Sequence, residues 1–312
     1  MFLIFALGLF VIGAVLAVFA TERLLEGLVS LAQVLRFSAF AIGAVLSGLE
    51  AENMVVGLAA GGTGAAEVSL GTAFGGAIFL ITVALGLSAV LFPLEVHLPR
   101  GVLVIFAASP LLAGLTLLGA STPRWTGVIL LLAFVGAMVY LVRISRHRQL
   151  LLSKEVAESQ EKQRPLWKAL ALTIFGLVVI GIGGEMVATG AEQLIAALGV
   201  PALFMGMIVT PAAIELEEVA RQAIPSKRGR HDVSAGNLIG TLLYFVLFNL
   251  GLIALLTPVH IDPLVVRLDW PLLMLATWIA TACLWRGRVG RVAGGVLLLC
   301  YVIYVILHVI LH

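Results

Sequence analysis

The chain repeats itself. Shifted by 165 positions, residues 47–87 lie on residues 212–252 without a gap. Glu50 falls on Glu215, Glu52 on Glu217 and Asn53 on Glu218. Ser69, Gly71, Gly75 and Gly86 fall on Ser234, Gly236, Gly240 and Gly251. Upstream, an offset of 163 brings residues 21–43 onto residues 184–206, with Glu22 on Glu185, Gly27 on Gly190, Leu31 on Leu194 and Gly43 on Gly206. The first copy is two residues shorter just before its acids. Any fold for this chain must build one unit twice, and each unit must house a cluster of acids.

The surroundings of those acids decide what they mean. The 312 residues are 61% hydrophobic and 12% charged, which excludes a soluble domain of this size. The apolar runs are long enough to cross a bilayer as helices. They predict ten spans, near 2–33, 37–62, 66–93, 101–119, 125–144, 166–197, 201–225, 231–256, 268–285 and 290–311. The first has no basic segment before it and no small-residue cleavage site before Thr21, so it reads as a retained span. Cys283 and Cys300 lie inside apolar runs and read as buried apolar side chains.

Basic residues orient the spans. The connection between the halves holds Arg143, Arg146, Arg148, Lys154, Lys162, Arg164 and Lys168. If it is cytoplasmic, Arg36, Arg100, Lys227, Arg228, Arg230, Arg286, Arg288 and Arg291 are also inside, and only Arg124 and Arg267 are outside. That bias obeys the positive-inside rule. It predicts an integral, multi-pass protein of a prokaryotic-type cell membrane, with both termini external and the linker cytoplasmic. The expected organisation is a five-helix repeat over 1–144, a linker over 145–165 and a second five-helix repeat over 166–312. An odd number of spans per copy makes the halves inverted, as in many secondary transporters.

Each ionised carboxylate at bilayer depth costs about 2.5–3.5 kcal/mol on insertion scales. Glu215, Glu217 and Glu218 therefore need a cation, a proton or an arginine. At helical spacing Glu215 and Glu218 share a face, as do Ser47, Glu50 and Asn53, while Glu52 and Glu217 point elsewhere. Such carboxylate and amide oxygens are hard ligands suited to Ca²⁺ or a similar cation. Crowding them in low dielectric favours holding a proton among them when no cation is bound. Arg221 follows Glu217 by four residues and Glu218 by three, and reads as an ion-pair partner within its helix or a gate. Glu22, Glu26, Glu185 and Glu192 mark ends of the long first spans, with a vestibule role open to the matched Glu22 and Glu185. The six histidines sit at loops or ends without ligand spacing and carry no assignment.

On these residues the chain resembles the cation/Ca²⁺ exchanger superfamily, which contains Na⁺/Ca²⁺ and H⁺/Ca²⁺ antiporters. The resemblance covers roughly 21–90 and 184–256, and the ten-span plan fits the whole chain. The family's G-N-x-x-G-S element stands here as GNLIGT (Gly236–Thr241) and, degenerate, as GTAFGG (Gly71–Gly76). Its spacing places the family glutamate at Glu218; the matching column in copy one is Asn53, and Glu52 beside it takes that role. No G-T-S-x-P-E is intact: the chain reads SGLEAE and AAIELEE. The family's ligand four residues past G-S falls on Leu80 and Phe245, which have no side-chain oxygen. H⁺-coupled members rely mainly on a glutamate pair, which fits these departures better; Ser47, Thr210 and backbone carbonyls keep a Na⁺ site open.

The resemblance implies an all-α membrane fold of the sodium/calcium exchanger type. It implies alternating access by sliding of the first and sixth spans against a core, with Ca²⁺ exchanged for H⁺ or Na⁺ and no cofactor. Ser47, Glu50, Glu52, Asn53, Thr210, Glu215, Glu217 and Glu218 form the expected cation site. Expected partners are inorganic cations and the lipid bilayer, without nucleic acid; monomer and homodimer stay open. Leu80 and Phe245 keep a second reading alive, a cation channel or a transport-inactive cation-binding protein. An intramembrane enzyme is disfavoured, because nothing in the chain supplies a nucleophile or a His-metal motif.

Overall fold

The computed structural model describes residues 2–35, 66–147, 165–198, 215–256 and 259–311. Backbone groups in hydrocarbon must be satisfied within their own segment, and the apolar runs accordingly form helices. In chain order they are α1 (Phe2–Leu35), α2 (Ala66–Phe79), α3 (Leu85–Leu91), α4 (Arg100–Ala113), α5 (Arg124–His147), α6 (Leu166–Leu198), α7 (Leu216–Lys227), α8 (His231–Leu243), α9 (Leu250–Leu256), α10 (Trp270–Trp285) and α11 (Arg291–Leu311). Two short strands, β1 (Leu94–Glu95) and β2 (Arg288–Val289), pair antiparallel. Among the described residues, seven helical stretches are long and apolar enough to cross a membrane. The expected span 37–62, residues 201–214 of the seventh, and 148–164 of the linker lie outside the described residues. Elsewhere the expected spans match, except that α5 continues three residues past 144 to His147.

The duplication reappears as geometry. Helices α2 and α3 are joined by a π-helical turn at Leu80–Ala84. Helices α8 and α9 are joined by another at Tyr244–Asn249. Both α2 and α8, and both α3 and α9, begin at positions related by the same 165-residue offset as the sequence match. Gly86 of α3 crosses Gly294 of α11, where a Cβ on Gly294 would meet the Gly86 carbonyl oxygen at 2.5 Å. Gly251 of α9 crosses Gly127 of α5 in the same way, and a Cβ on Gly127 would meet the Gly251 oxygen at 2.5 Å. Only glycine allows such backbone approach. At one end of α4, Leu94 and Glu95 pair with Val289 and Arg288. At its other end, Ser121 bridges to His260, the residue 165 positions after Glu95. Matched pairings at opposite ends of one span mean that the halves are inverted.

The central and peripheral helices differ in burial. The stretches Ala73–Leu91 and His231–Leu256 are mostly buried, whereas α5 and α11 are mostly not. The α2–α3 and α8–α9 spans therefore form the core, around Phe74, Ile81, Leu242, Phe245 and Val246. The outer helices turn apolar stripes to lipid, as Leu170, Ile174, Val178 and Ile182 on α6 do. Helices α1 and α6 lie antiparallel: Gly27 abuts Thr173 while Leu24 abuts Gly176.

Candidate cation site

Helix α7 opens inside the protein. Glu215 stands just before its first turn, with φ −84° and ψ 2°, and its carbonyl accepts the Glu218 N–H at 3.0 Å. Both side chains are buried, Glu215 at 2% and Glu218 at 0% exposure. Helix α7 ends in a Schellman motif. Gly229, at φ +70°, donates to the Ser226 carbonyl (3.1 Å), and Arg230 donates to that of Pro225 (2.8 Å). Glycine is suited to that left-handed position. The tight turn folds α8 back along α7 and sets their registers.

That register brings α8 side chains to Glu218. Asn237 Nδ2 donates to Glu218 Oε2 at 2.7 Å, and Arg221 Nη1 donates to Glu218 Oε1 at 2.7 Å. Gln222 satisfies its amide when the nitrogen donates to Ser234 Oγ (2.9 Å) and Ser234 O (3.0 Å) while the oxygen accepts from Asn237 Nδ2 (2.7 Å) and Leu238 N (3.1 Å). Ser226 Oγ donates to Ser234 Oγ at 3.1 Å, and Ser234 Oγ donates to the Gln222 carbonyl at 3.1 Å. The network holds Asn237 by its nitrogen. It leaves Asn237 Oδ1 and Thr241 Oγ1 buried without a hydrogen-bond partner among the described residues. Asn237 and Thr241 are four apart and share one face of α8. Buried amide, hydroxyl and carboxylate oxygens on neighbouring helices are the donor set of a hard cation.

Of the expected site residues, Glu215 and Glu218 are both buried at the start of α7, and Glu217 stands between them in sequence. Ser47, Glu50, Glu52, Asn53 and Thr210 lie outside the described residues. Arg221, with two acids in reach by spacing, pairs with Glu218. Leu80 and Phe245 lie at the two π-helical turns, both fully buried. The Phe245 ring packs over Gly76: a Cβ there would meet ring atoms at 2.8 and 2.9 Å and Glu215 Oε1 at 3.5 Å. So an apolar ring fills the position where the family pattern has a ligand, and the glycine of GTAFGG makes room for it.

Two features escaped the sequence. Asn237 and Thr241 were visible only as motif letters, although GNLIGT supplied the signal. His308, which looks like a chain-end histidine, is 3% exposed, with Nε2 at 3.4 Å from the buried Asp269 Oδ1 and its ring against Tyr304. Tyr304 lies one turn before it on α11, but Asp269, just ahead of α10, is 39 residues away in sequence, so no linear spacing marks that contact.

Comparison with known proteins gives a consistent picture. The profile of the family described as sodium/calcium exchanger protein matches residues 5–143 and 168–310. The inner membrane protein YrbG of Escherichia coli (strain K12) is 27% identical over 91% of this chain and 90% of its own length. The putative antiporter CaxA of Alkalimonas amylolytica is 28% identical over 94% and 95%. In structure, the sodium-calcium exchanger NCX_Mj, soaked with Na⁺ and Sr²⁺, superposes with a TM-score of 0.81 at 21% identity, over 96% of this chain and 97% of that one.

Proposed function

The chain belongs to the sodium/calcium exchanger protein family, and from that premise we propose that it is an antiporter that exchanges a divalent cation, Ca²⁺ first among candidates, for H⁺ or Na⁺ by alternating access. The observation that carries the reading is Glu218: a fully buried carboxylate in the core of a multi-pass membrane protein, with the amide of Asn237 fixed against it. Glu215 adds a second buried carboxylate, and Asn237 Oδ1 and Thr241 Oγ1 add neutral oxygens. Two carboxylates balance a divalent charge. The acids of the first copy, Glu50 and Glu52 with Asn53, complete the site in this proposal, with Ser47 and Thr210 as further oxygens.

Protons are favoured over Na⁺ as the coupling ion. Leu80 and Phe245 remove side-chain oxygens on which a Na⁺ site of the family pattern would draw, and the Phe245 ring occupies that space. The apolar outer faces of α1 and α6 and their antiparallel packing fit a pair that slides against the core. Both termini external, with the linker cytoplasmic, is the orientation the basic residues favour.

The test uses proteoliposomes loaded with Ca²⁺ and given either a pH gradient or a Na⁺ gradient. Release driven by the pH gradient supports proton coupling. Release that follows Na⁺ and ignores pH overturns it while leaving the antiporter. The second reading, a channel or transport-inactive protein, is favoured by the Phe245 ring and by the arginine on Glu218; uncoupled flux, or none, selects it.

A further inference from the structure

We infer that Arg221 is a tethered competitor for the cation site: its guanidinium holds Glu218 when no free cation is bound, and must leave before one binds. The inference rests on Glu218 being a cation ligand.

The geometry is specific. Arg221 Nη1 lies 2.7 Å from Glu218 Oε1, and the two side chains are 6% and 0% exposed. The other carboxylate oxygen is held by Asn237. Both oxygens are thus engaged, and Oε1 is engaged by a charge. A Ca²⁺-like ion binds oxygens at about 2.3–2.6 Å, so it would have to share Oε1 with a cation at hydrogen-bond distance. Two positive charges that close repel strongly where water is excluded. The Asn237 contact has no such conflict, because an amide nitrogen is neutral and its Oδ1 is a ligand in its own right.

In sequence the arginine belongs to one copy only. The residue 165 positions before Arg221 is Val56, so the first-copy acids carry no equivalent arginine on their own segment. An arginine also differs from a proton as a competitor. It stays charged at any pH that a cell meets, and its tether keeps it at high local concentration. The empty site is therefore never a bare carboxylate at Glu218. Free-cation affinity is set by the cost of displacing the guanidinium.

The experiment measures Ca²⁺ uptake into proteoliposomes by the full-length protein, with ⁴⁵Ca²⁺ as probe, for wild type, Arg221→Gln and Arg221→Lys. Removing the competitor should lower the half-saturating Ca²⁺ concentration roughly tenfold or more, within the range of measured site couplings. Arg221→Lys should fall between, since an ammonium keeps the charge without the planar fork. Ca²⁺ should also raise the melting temperature of Arg221→Gln more than that of wild type, because the ion replaces the lost partner. A purely structural role would lower the maximal rate and leave half-saturation where it was. Unchanged or raised half-saturation in Arg221→Gln, with an active wild type, overturns the inference and leaves the exchanger reading intact. An inactive wild type with uptake gained in Arg221→Gln supports it, as a site plugged by its own arginine. Inactivity of all three well-folded proteins defeats both readings. If Arg221→Gln does not fold, Arg221→Lys decides: lowered half-saturation supports the inference, and anything else overturns it.

Discussion

Helices α2 and α8 have the same place in their respective halves and differ in two polar columns. Each enters the core, ends at a π-helical turn and continues into a short helix that crosses a glycine of the opposite half. Yet α8 turns Ser234 and Asn237 to α7 and carries Thr241 one turn on, where α2 has Ser69, Thr72 and Gly76 in the matching columns. The backbone has been kept twice because close glycine crossings and π turns satisfy packing and hydrogen bonds in hydrocarbon. The polar side chains have been kept where they serve Glu218. In the first half the column of Thr241 has become Gly76, and the space goes to the Phe245 ring from the second. What the duplication preserved is the frame; the polar columns of α2 and α8 have diverged.

If that is right, matched substitutions should have unequal effects on transport and equal effects on packing. The largest inequality is expected at the acids. Glu218→Gln should abolish divalent exchange, whereas Glu52→Gln should leave a measurable fraction in the same flux assay. Glu218→Gln should also destabilise the protein, because it removes the carboxylate that Arg221 Nη1 pairs with; breaking one partner of a buried pair costs about 3–5 kcal/mol. Adding Arg221→Gln should recover part of that stability, read as melting temperature in detergent, without restoring exchange. Full exchange by Glu218→Gln would remove Glu218 from the site.

Next come the amide columns. Asn237→Ala removes the donor to Glu218 Oε2 and to the Gln222 amide. Leaving buried acceptors unsatisfied costs about 1–3 kcal/mol, so Asn237→Ala should lower both melting temperature and exchange rate. Thr72→Ala, its first-half counterpart, should do little to exchange. Equal losses of exchange in the two variants would mean that the halves share the ligand work after all.

The glycine crossings are the symmetric control. Gly127→Ala and Gly294→Ala each push a methyl group against a carbonyl oxygen at 2.5 Å. Overpacking of this sort costs about 1–3 kcal/mol, and the two melting temperatures should drop by similar amounts. A large drop in one and none in the other would break the frame half of the comparison.

Most of that frame was legible in the sequence. The 165-residue offset predicts where α2 and α8 begin, and apolar runs give the spans to within a few residues. Helix α5 outruns its apolar stretch to His147, through Arg143 and Arg146, because arginine is a good helix former. The π turns were not legible: nothing in LITVA or YFVLFN separates them from α-helix. At the candidate site, the cost of carboxylates in hydrocarbon singled out the acids, and Glu215 and Glu218 are buried. The pairing of Arg221 with Glu218 depends on side-chain placement, and the Gln222–Ser234–Asn237 network depends on the register set by the Gly229 turn. The Asp269–His308 contact joins two helices whose separation in sequence carries no period.

The smallest effect is expected where the inverted halves differ in full view of water. At one end of α4, Glu95 Oε1 lies 3.2 Å from Arg288 Nε, with side chains 59% and 61% exposed. At the other end the matched positions are His260 and Ser121, joined by a backbone bridge. The charge pair looks like the more stabilising of the two, but exposure argues otherwise. Exposed ion pairs are worth about 0–1 kcal/mol, because solvent screens the attraction and two long side chains lose freedom in making it. The shared element is the backbone pairing, with Leu94 and Val289 buried beneath it at one end and Val259 at the other. Glu95→Ala and His260→Ala should therefore shift the melting temperature by similarly small amounts, and added salt should move neither by much. Leu94→Ala should cost more than either, since it empties a buried position for which large-to-small changes cost about 2–5 kcal/mol. A large, salt-sensitive loss in Glu95→Ala alone would show that the ends, too, have diverged in what holds them together.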